Sequence, residues 1–364
     1  MKKTGFLNLA KTSRHLSFEE VESKYKHFLC DAGDLVIASS GISFDSDGYL
    51  RTRGVFIENE HLPLCLNTST IRFKSKNNNS LFFLKHWLQS TEFRKQITRL
   101  VTGSAQQNFG PSHLKQIKIK IPPISEQKRI AAILDKADEI RRKREQAITK
   151  LEQLAQSIFV EMFGDLTNND KSLLLTKLKN ICLRVTDGTH QAPKWEKEGI
   201  PFLFISNIVN GEIRLETNKY ISNETYNDLT KRCPIEIGDI LYTTVGSYGN
   251  VAIVKTNTRF CFQRHIAHIK PNKDIVNIVF LAAMLNSDAV RQQVDKVARG
   301  VAQKTVNLSD LSDLNIFNPP IALQEEFAKR INQIEKLKAD NTKALANHNA
   351  LFASLQQQAF SGNL

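Results

Sequence analysis

Two long stretches of this chain repeat apolar or small residues at alternating steps of three and four, with charged positions between them. The first follows Pro122-Pro123-Ile124-Ser125 and runs to about Phe163, with Ile130, Ile133, Ala137, Ile140, Ala147, Leu151, Leu154 and Ile158 on one seam. The second runs from about Leu323 to Phe360, with Phe327, Ile331, Ile334, Leu337, Ala344, Leu345, Leu351 and Leu355 on its seam. That spacing predicts two long helices of coiled-coil type. Ser125 is the expected N-cap of the first, a proline just ahead blocks extension backwards, and Gly164 is its natural stop. Arg144 and Asn341 occupy equivalent seam positions, as do Leu151 and His348, and a polar residue in a seam can fix register and partner.

The two helices close two copies of one module. Phe83-Leu84 recurs as Phe280-Leu281 at an offset of 197, and Ser90, Arg94 and Gln96 recur as Ser287, Arg291 and Gln293. Gly103, Ala105 and Gln106 return as Gly300, Ala302 and Gln303, and Pro122-Pro123-Ile124 with Gln127 as Pro319-Pro320-Ile321 with Gln324. The period is far longer than a solenoid repeat, so it marks duplicated domains.

Ahead of each long helix the pattern is of mixed β character. Gly33-Asp34 through Gly41 and Gly238-Asp239 through Gly246 each read as turn, short strand and glycine-limited loop. Their offset is 205, which places eight extra residues in the first copy, expected in a hairpin around Asp45 to Gly54. An amphipathic helix is expected over residues 81–100 and again over 278–297. A short strand is expected over 117–121 and near Ile316. The second copy also carries residues 178–201, for which the first, starting near Phe6-Leu7, has no match; the first domain is therefore expected to be N-terminally short.

Composition then narrows the partner. Fifty Lys and Arg against 37 acids give a formal charge of +13, which favours a polyanion. No apolar run is long enough to span a bilayer, and the N-terminus has no secretory pattern, so a cytoplasmic location is expected. The five cysteines are scattered and never form a C-x-x-C pair, so free thiols are expected and a structural zinc is not.

Catalytic motifs fail on inspection. Asn318-Pro319-Pro320-Ile321 has the prolines of an adenine-methyltransferase motif but lacks the aromatic residue that stacks a flipped base. The prolines read instead as the lead-in to a helix. No P-loop is present, and Asp187 and Asp239, beside glycines, read as turn formers. Recognition chemistry remains, in loops. The first copy offers Ser39, Ser40, Arg51, Arg53, Gln106 and Gln107. The second offers Thr189, His190, Gln191, Lys194, Thr243, Thr244, Ser247, Tyr248, Arg299, Gln303 and Lys304. Gln pairs bidentately with adenine, Arg and Lys with guanine, and small hydroxyls with base or phosphate.

Taken together the chain resembles the specificity (S) subunit of type I DNA restriction-modification systems. The resemblance is strongest in IPPISEQKRIAAILDKADEIRRKREQAITKLEQLAQSIFVEMFGD and in NPPIALQEEFAKRINQIEKLKADNTKALANHNALFASLQQQAFSG, similar to that family's central and C-terminal conserved regions. TDGTHQAP, GDILYTTVGSYGN and VARGVAQKTVNLSDL resemble signatures of its target recognition domains; the first copy keeps VTGSAQQNFGPSHLKQI but has no DGTH-like segment. The resemblance implies an α+β fold of two pseudo-repeated α/β target recognition domains joined by two long antiparallel coiled-coil helices. The domains would be residues 1–121 and 165–317, the spacer helices 122–164 and 318–364. It implies a non-catalytic reader of double-stranded DNA with a split recognition sequence, and no cofactor of its own. S-adenosylmethionine, ATP and Mg would belong to two methyltransferase subunits and to endonuclease/translocase subunits. A helix of roughly 35 residues is about 50 Å long, enough for half-sites about 34 Å apart. Two other readings fit fewer residues: a truncated or silent cassette that exchanges recognition domains by recombination, and a DNA adenine methyltransferase.

Overall fold

The computed structural model describes residues 15–45, 47–75, 80–101, 107–301 and 303–364. They fall into two compact units, residues 1–147 with 341–364, and residues 148–340. Each unit therefore holds one domain, the first part of its own long helix and the last part of the other.

In the first unit the order is α1 (Phe18–Glu20), β1 (Leu35–Ala38), β2 (Ser40–Ile42), β3 (Gly54–Phe56) and β4 (Thr70–Phe73). Helices α2 (Leu81–Trp87) and α3 (Thr91–Leu100), β5 (Gln107–Asn108) and α4 (Pro111–Leu114) lead into the long α5 (Ile124–Phe163). The sheet is β3-β1-β4, all antiparallel. Its centre, Leu35-Val36-Ile37, is fully buried, as a strand covered on both faces must be. Leu35 and Ile37 pack with Trp87, Phe93, Ile97 and Phe109.

The second unit opens with β6 (Leu175–Lys177), β7 (Cys182–Asp187), β8 (Ile200–Leu203), β9 (Ile208–Val209), β10 (Glu212–Ile213), β11 (Tyr220–Ile221) and α6 (Asn223–Thr230). Strands β12 (Ile240–Thr243), β13 (Val251–Ile253), β14 (Cys261–Phe262) and β15 (Ile266–Pro271) follow. Helices α7 (Ile278–Leu285), α8 (Asp288–Val297) and α9 (Leu308–Ser312), then β16 (Asn315–Phe317), precede the long α10 (Ile321–Ser361). Its main sheet, β13-β12-β15-β7, repeats β3-β1-β4 and adds β7 from the segment that has no match in the first copy. A second sheet, β11-β8-β14, lies beside it. Residues 39–53 separate β1 from β3 in one unit and 244–250 separate β12 from β13 in the other, so the eight extra residues fall where the hairpin was expected. There Asp45 N–H donates to the Tyr49 carbonyl at 2.8 Å.

Four expectations need correction. Each amphipathic helix is two, because Ser90 and Ser287 cap new helices by accepting the N–H of Phe93 and Val290 at 3.2 and 3.3 Å. Residues 117–121 form no strand. Gln96 holds Lys118 through both its amide atoms at 2.9 Å, as Gln293 holds Asn315 at 2.9 and 3.0 Å, but residues 315–317 also pair with β6. The first long helix begins at Ile124, ahead of Ser125, and its opening turn closes on the Pro123 carbonyl.

The fourth correction is to the seams. Leu154, Leu337 and Leu351 are 47%, 52% and 51% exposed. The other expected positions hold: Ile130, Ala137, Leu151, Ile331, Ile334 and Leu345, with Arg144, Asn341 and His348, are buried or half-buried, and Leu134, Arg141, Ile148, Ala155, Lys338 and Phe352 join them. Charged side chains occupy this seam because each meets a partner while its stem covers apolar surface. In the first unit Arg144 donates to Asn341 at 2.7 Å. Arg141 donates to Asn349 at 2.6 Å and lies over the Phe352 ring at 4.9 Å. In the second, Lys338 pairs with Glu152 at 2.9 Å. These contacts set the helices antiparallel. The equivalent polar positions Arg144 and Asn341 meet each other, fixing register as a seam polar pair does.

Two buried polar devices recur in both units. Gln127 accepts the Ser80 N–H at 3.1 Å and donates to the Pro122 carbonyl at 2.8 Å. Gln324 accepts the Asn277 N–H at 2.8 Å and donates to the Pro319 carbonyl at 2.8 Å. Each clamps the start of a long helix to the start of a domain helix. The second device is the aspartate of each Gly-Asp turn. Asp239 accepts the Glu236 N–H at 2.8 Å, so it does form the expected turn. It also receives His268 Nε2 at 2.7 Å and Lys270 Nζ at 3.1 Å from β15. Asp34 accepts the Asp31 N–H at 2.9 Å and faces Arg72 of β4 and Lys74 just beyond it at 3.6 and 3.9 Å. Burial works to raise the Asp239 pKa, but the bonds from His268, the Glu236 backbone and Lys270 outweigh it and hold the carboxyl below its ordinary value.

Gln324→Ala should cost about 2–4 kcal/mol of unfolding free energy, because a buried N–H and a buried carbonyl both lose their partner; urea unfolding of the full chain measures it. Asp239→Asn should destabilise at pH 7. Because the folded pKa is depressed, the stabilisation exists above about pH 4, the unfolded value, and is lost as pH falls below it. The gap in urea midpoint between wild type and Asp239→Asn should therefore narrow progressively as the pH falls below about 4, read from one titration series.

Candidate nucleic-acid interface

In the second unit four loops are sewn into one surface by their backbones. Arg264 N–H donates to the Thr189 carbonyl at 3.0 Å, and Thr244 N–H to the His265 carbonyl at 2.9 Å. Val306 N–H reaches Thr244 at 2.8 Å, and Gly246 N–H reaches Lys304 at 2.9 Å. This links the turn after β7 (187–191), the loop after β12 (243–249), the β14–β15 turn (263–265) and the hairpin 299–305. The approach is close: a Cβ on Gly188 would stand 2.1 Å from the Phe262 carbonyl oxygen and 2.6 Å from that of Gln263. Only glycine fits there, which accounts for the Asp-Gly-Thr-His run.

The side chains divide into scaffold and surface. Thr243, Thr244 and Tyr248 were candidates for contact, but all three are buried. Thr243 Oγ1 donates to the Ser247 carbonyl at 2.8 Å and accepts the Asn250 N–H at 2.9 Å. Tyr248 donates its hydroxyl to Asp295 at 2.7 Å, and Arg291 lies over its ring at 4.4 Å while donating to its carbonyl at 2.5 Å. These residues shape the loop from inside. Exposed are His190, Gln191, Lys194, Ser247, Arg299, Gln303 and Lys304, while Thr189 is half-buried with its hydroxyl donated to the Gln191 carbonyl at 2.9 Å. His190 Nε2 stands 2.9 Å from Asp187, which orients the ring.

The sequence reading missed Gln263, Arg264 and His265, which lie at the centre of the four loops. Arg264 is exposed, and its Nε donates to His265 Nε2 at 3.3 Å. Burial first, and the Arg264 charge second, lower the His265 pKa, so the ring stays neutral and able to accept. The available signal was the run of three polar and basic residues set between the apolar pairs Cys261-Phe262 and Ile266-Ala267. The exposed polar groups of this surface are thus cations, amides and hydroxyls, the donor set that meets phosphates and base edges.

The first unit repeats part of this plan. Pairing of β2 with β5 sets Ser40 opposite Asn108, as Val245 stands opposite Thr305 in the second unit. Gln107 is in β5, and Arg51 and Arg53 are exposed on the segment that leads into β3. Ser39 is buried, with its carbonyl accepting the Phe109 N–H at 2.9 Å, so it belongs to the scaffold. Gln106, and the loop of Gly103 and Ala105 matched to Gly300 and Ala302, lie outside the described residues. No helix among the described residues is long and apolar enough to cross a membrane.

Comparison with known proteins agrees with the duplication. The type I restriction modification DNA specificity domain matches residues 3–153 and residues 176–348. The EcoBI specificity subunit of an Escherichia coli type I restriction enzyme is 29% identical over 282 residues, 69% of this chain and 59% of the relative. A putative type I MjaX specificity subunit of Methanocaldococcus jannaschii is 26% identical over 279 residues, 71% of this chain and 61% of the relative. The chain thus spans about three fifths of the length of these two relatives. The crystal structure of a type I restriction-modification S subunit from M. genitalium superposes with a TM-score of 0.54 at 15% identity, covering 92% of this chain and 84% of that one, a likeness of fold.

Proposed function

The chain belongs to the type I restriction-modification DNA specificity family, and from that membership we propose that it is the DNA-reading subunit of such a complex. Each unit reads one half of a split sequence in duplex DNA. The observation that carries the reading is the second unit's four-loop surface. A rigid, hydrogen-bonded backbone there presents Gln191, Arg264, Arg299, Gln303 and Lys304 together. Rigidity matters because base readout depends on the position of each donor, and side chains on a fixed backbone lose little freedom on contact.

Within that surface the roles divide by chemistry. Arg299 and Lys304 neutralise phosphates and set register; Gln191, Gln303 and Arg264 reach base edges. The subunit itself carries out no chemistry and works in the cytoplasm. Two methyltransferase subunits using S-adenosylmethionine, and endonuclease/translocase subunits using ATP and Mg²⁺, act where it places them. The net charge of +13 supports a polyanionic partner.

Selection of bound duplexes from a random pool by the full chain tests this. A bipartite consensus is expected. Arg299→Ala and Lys304→Ala should each weaken binding to all sequences and reduce the salt slope by about one. Gln303→Ala should relax preference at one base pair, at a cost of about 1–3 kcal/mol. Binding without sequence preference, or without salt dependence, would reject the reading.

A further inference from the structure

Val301 is the most exposed of the large apolar side chains among the described residues, at 106% relative exposure. It sits near the apex of the hairpin 299–305, between exposed Arg299 on one side and exposed Gln303 and Lys304 on the other. Described residues on either side of it are held by their backbones. Arg299 and Thr305 exchange both backbone hydrogen bonds, at 2.9 and 2.7 Å, and Lys304 is held by Gly246 N–H at 2.9 Å. Gly300 takes φ +112°, and a Cβ there would lie 2.4 Å from the Gln303 carbonyl oxygen, so the bend is reserved for glycine.

A β-branched side chain on such a bend has few rotamers left to lose on contact. Water alone gives no reason for an apolar group at the tip of a loop whose other exposed side chains are cations and amides. A duplex does give one. With Arg299 and Lys304 on the phosphates, the residue between them stands at the depth of the base edges, where the apolar feature of the major groove is the thymine 5-methyl group.

Resting on the DNA-reading role above, we propose that Val301 contacts the 5-methyl group of one thymine in the half-site read by the second unit, and so selects thymine at that position. The test uses the full chain and the duplex preferred in selection, with each thymine in turn replaced by deoxyuridine, which removes only the methyl. At one position the replacement should weaken wild-type binding about fourfold, the worth of one buried methyl group. Val301→Ser should bind the thymine duplex about as weakly as wild type binds the uracil one, with no further loss on replacement. Val301→Ile should keep the discrimination. If wild type binds every uracil duplex as well as the parent, or if Val301→Ser still discriminates at the same position, the contact is wrong while DNA reading stands. If no duplex is selected at all, the DNA-reading role fails, and the thymine contact with it.

Discussion

The arrangement depends on a buried glutamine at the root of each long helix. Gln127 and Gln324 are almost wholly inaccessible, and each spans a backbone N–H of its domain and a proline carbonyl just ahead of its helix. The primary amide suits this place because it offers donor and acceptor at one end of a flexible stem; a glutamate would lack the donor and a leucine both. The proline before the helix completes the device. It contributes a free carbonyl and has no N–H of its own to satisfy. The direction in which a long helix leaves its domain is therefore set by hydrogen bonds that water cannot replace.

From that root the helix carries a seam that accepts charge. Arg141 and Lys338 occupy heptad positions that hydrophobicity alone would assign to Ile140 and Leu337, and Arg144 keeps the seam place its spacing gives it. A seam of leucine would permit several registers, whereas the Arg144–Asn341 and Lys338–Glu152 pairs match in one alignment only. Apolar mass gathers instead where helix meets domain. Phe159 and Phe163 pack with Phe280 and Phe327 in the second unit, and Phe83 with Phe360 in the first.

Much of this was legible in the chain. The offset of 197 marked the duplicated domain, the prolines marked the helix starts, and the Gly-Asp turns marked the central strands, because each is written in local chemistry. The seam was read correctly at Ile130, Ala137, Arg144, Leu151, Asn341 and His348 and missed at Leu154, Leu337 and Leu351, since periodicity cannot distinguish two adjacent stripes when the deciding partners are polar. Asp239 was read as a turn former and is one, but its bonds to His268 and Lys270 depend on a strand nearly thirty residues away. Thr243 and Tyr248 look like surface donors in sequence and are interior ones, because their partners arrive from the rest of the same loop and from α8. Gln263, Arg264 and His265 escaped notice because a short turn between buried strands has no motif. Only the fold shows that three other loops converge on it.

The convergence of those loops is the centre of the account, and hydrogen–deuterium exchange on the full chain with and without its selected duplex addresses it most directly. DNA contact through this surface predicts slowed exchange at residues 187–191, 243–249, 263–265 and 299–305, disappearing at high salt as phosphate contacts are screened. Unchanged exchange at all four loops in the presence of bound duplex, with protection elsewhere in the second unit, would contradict it.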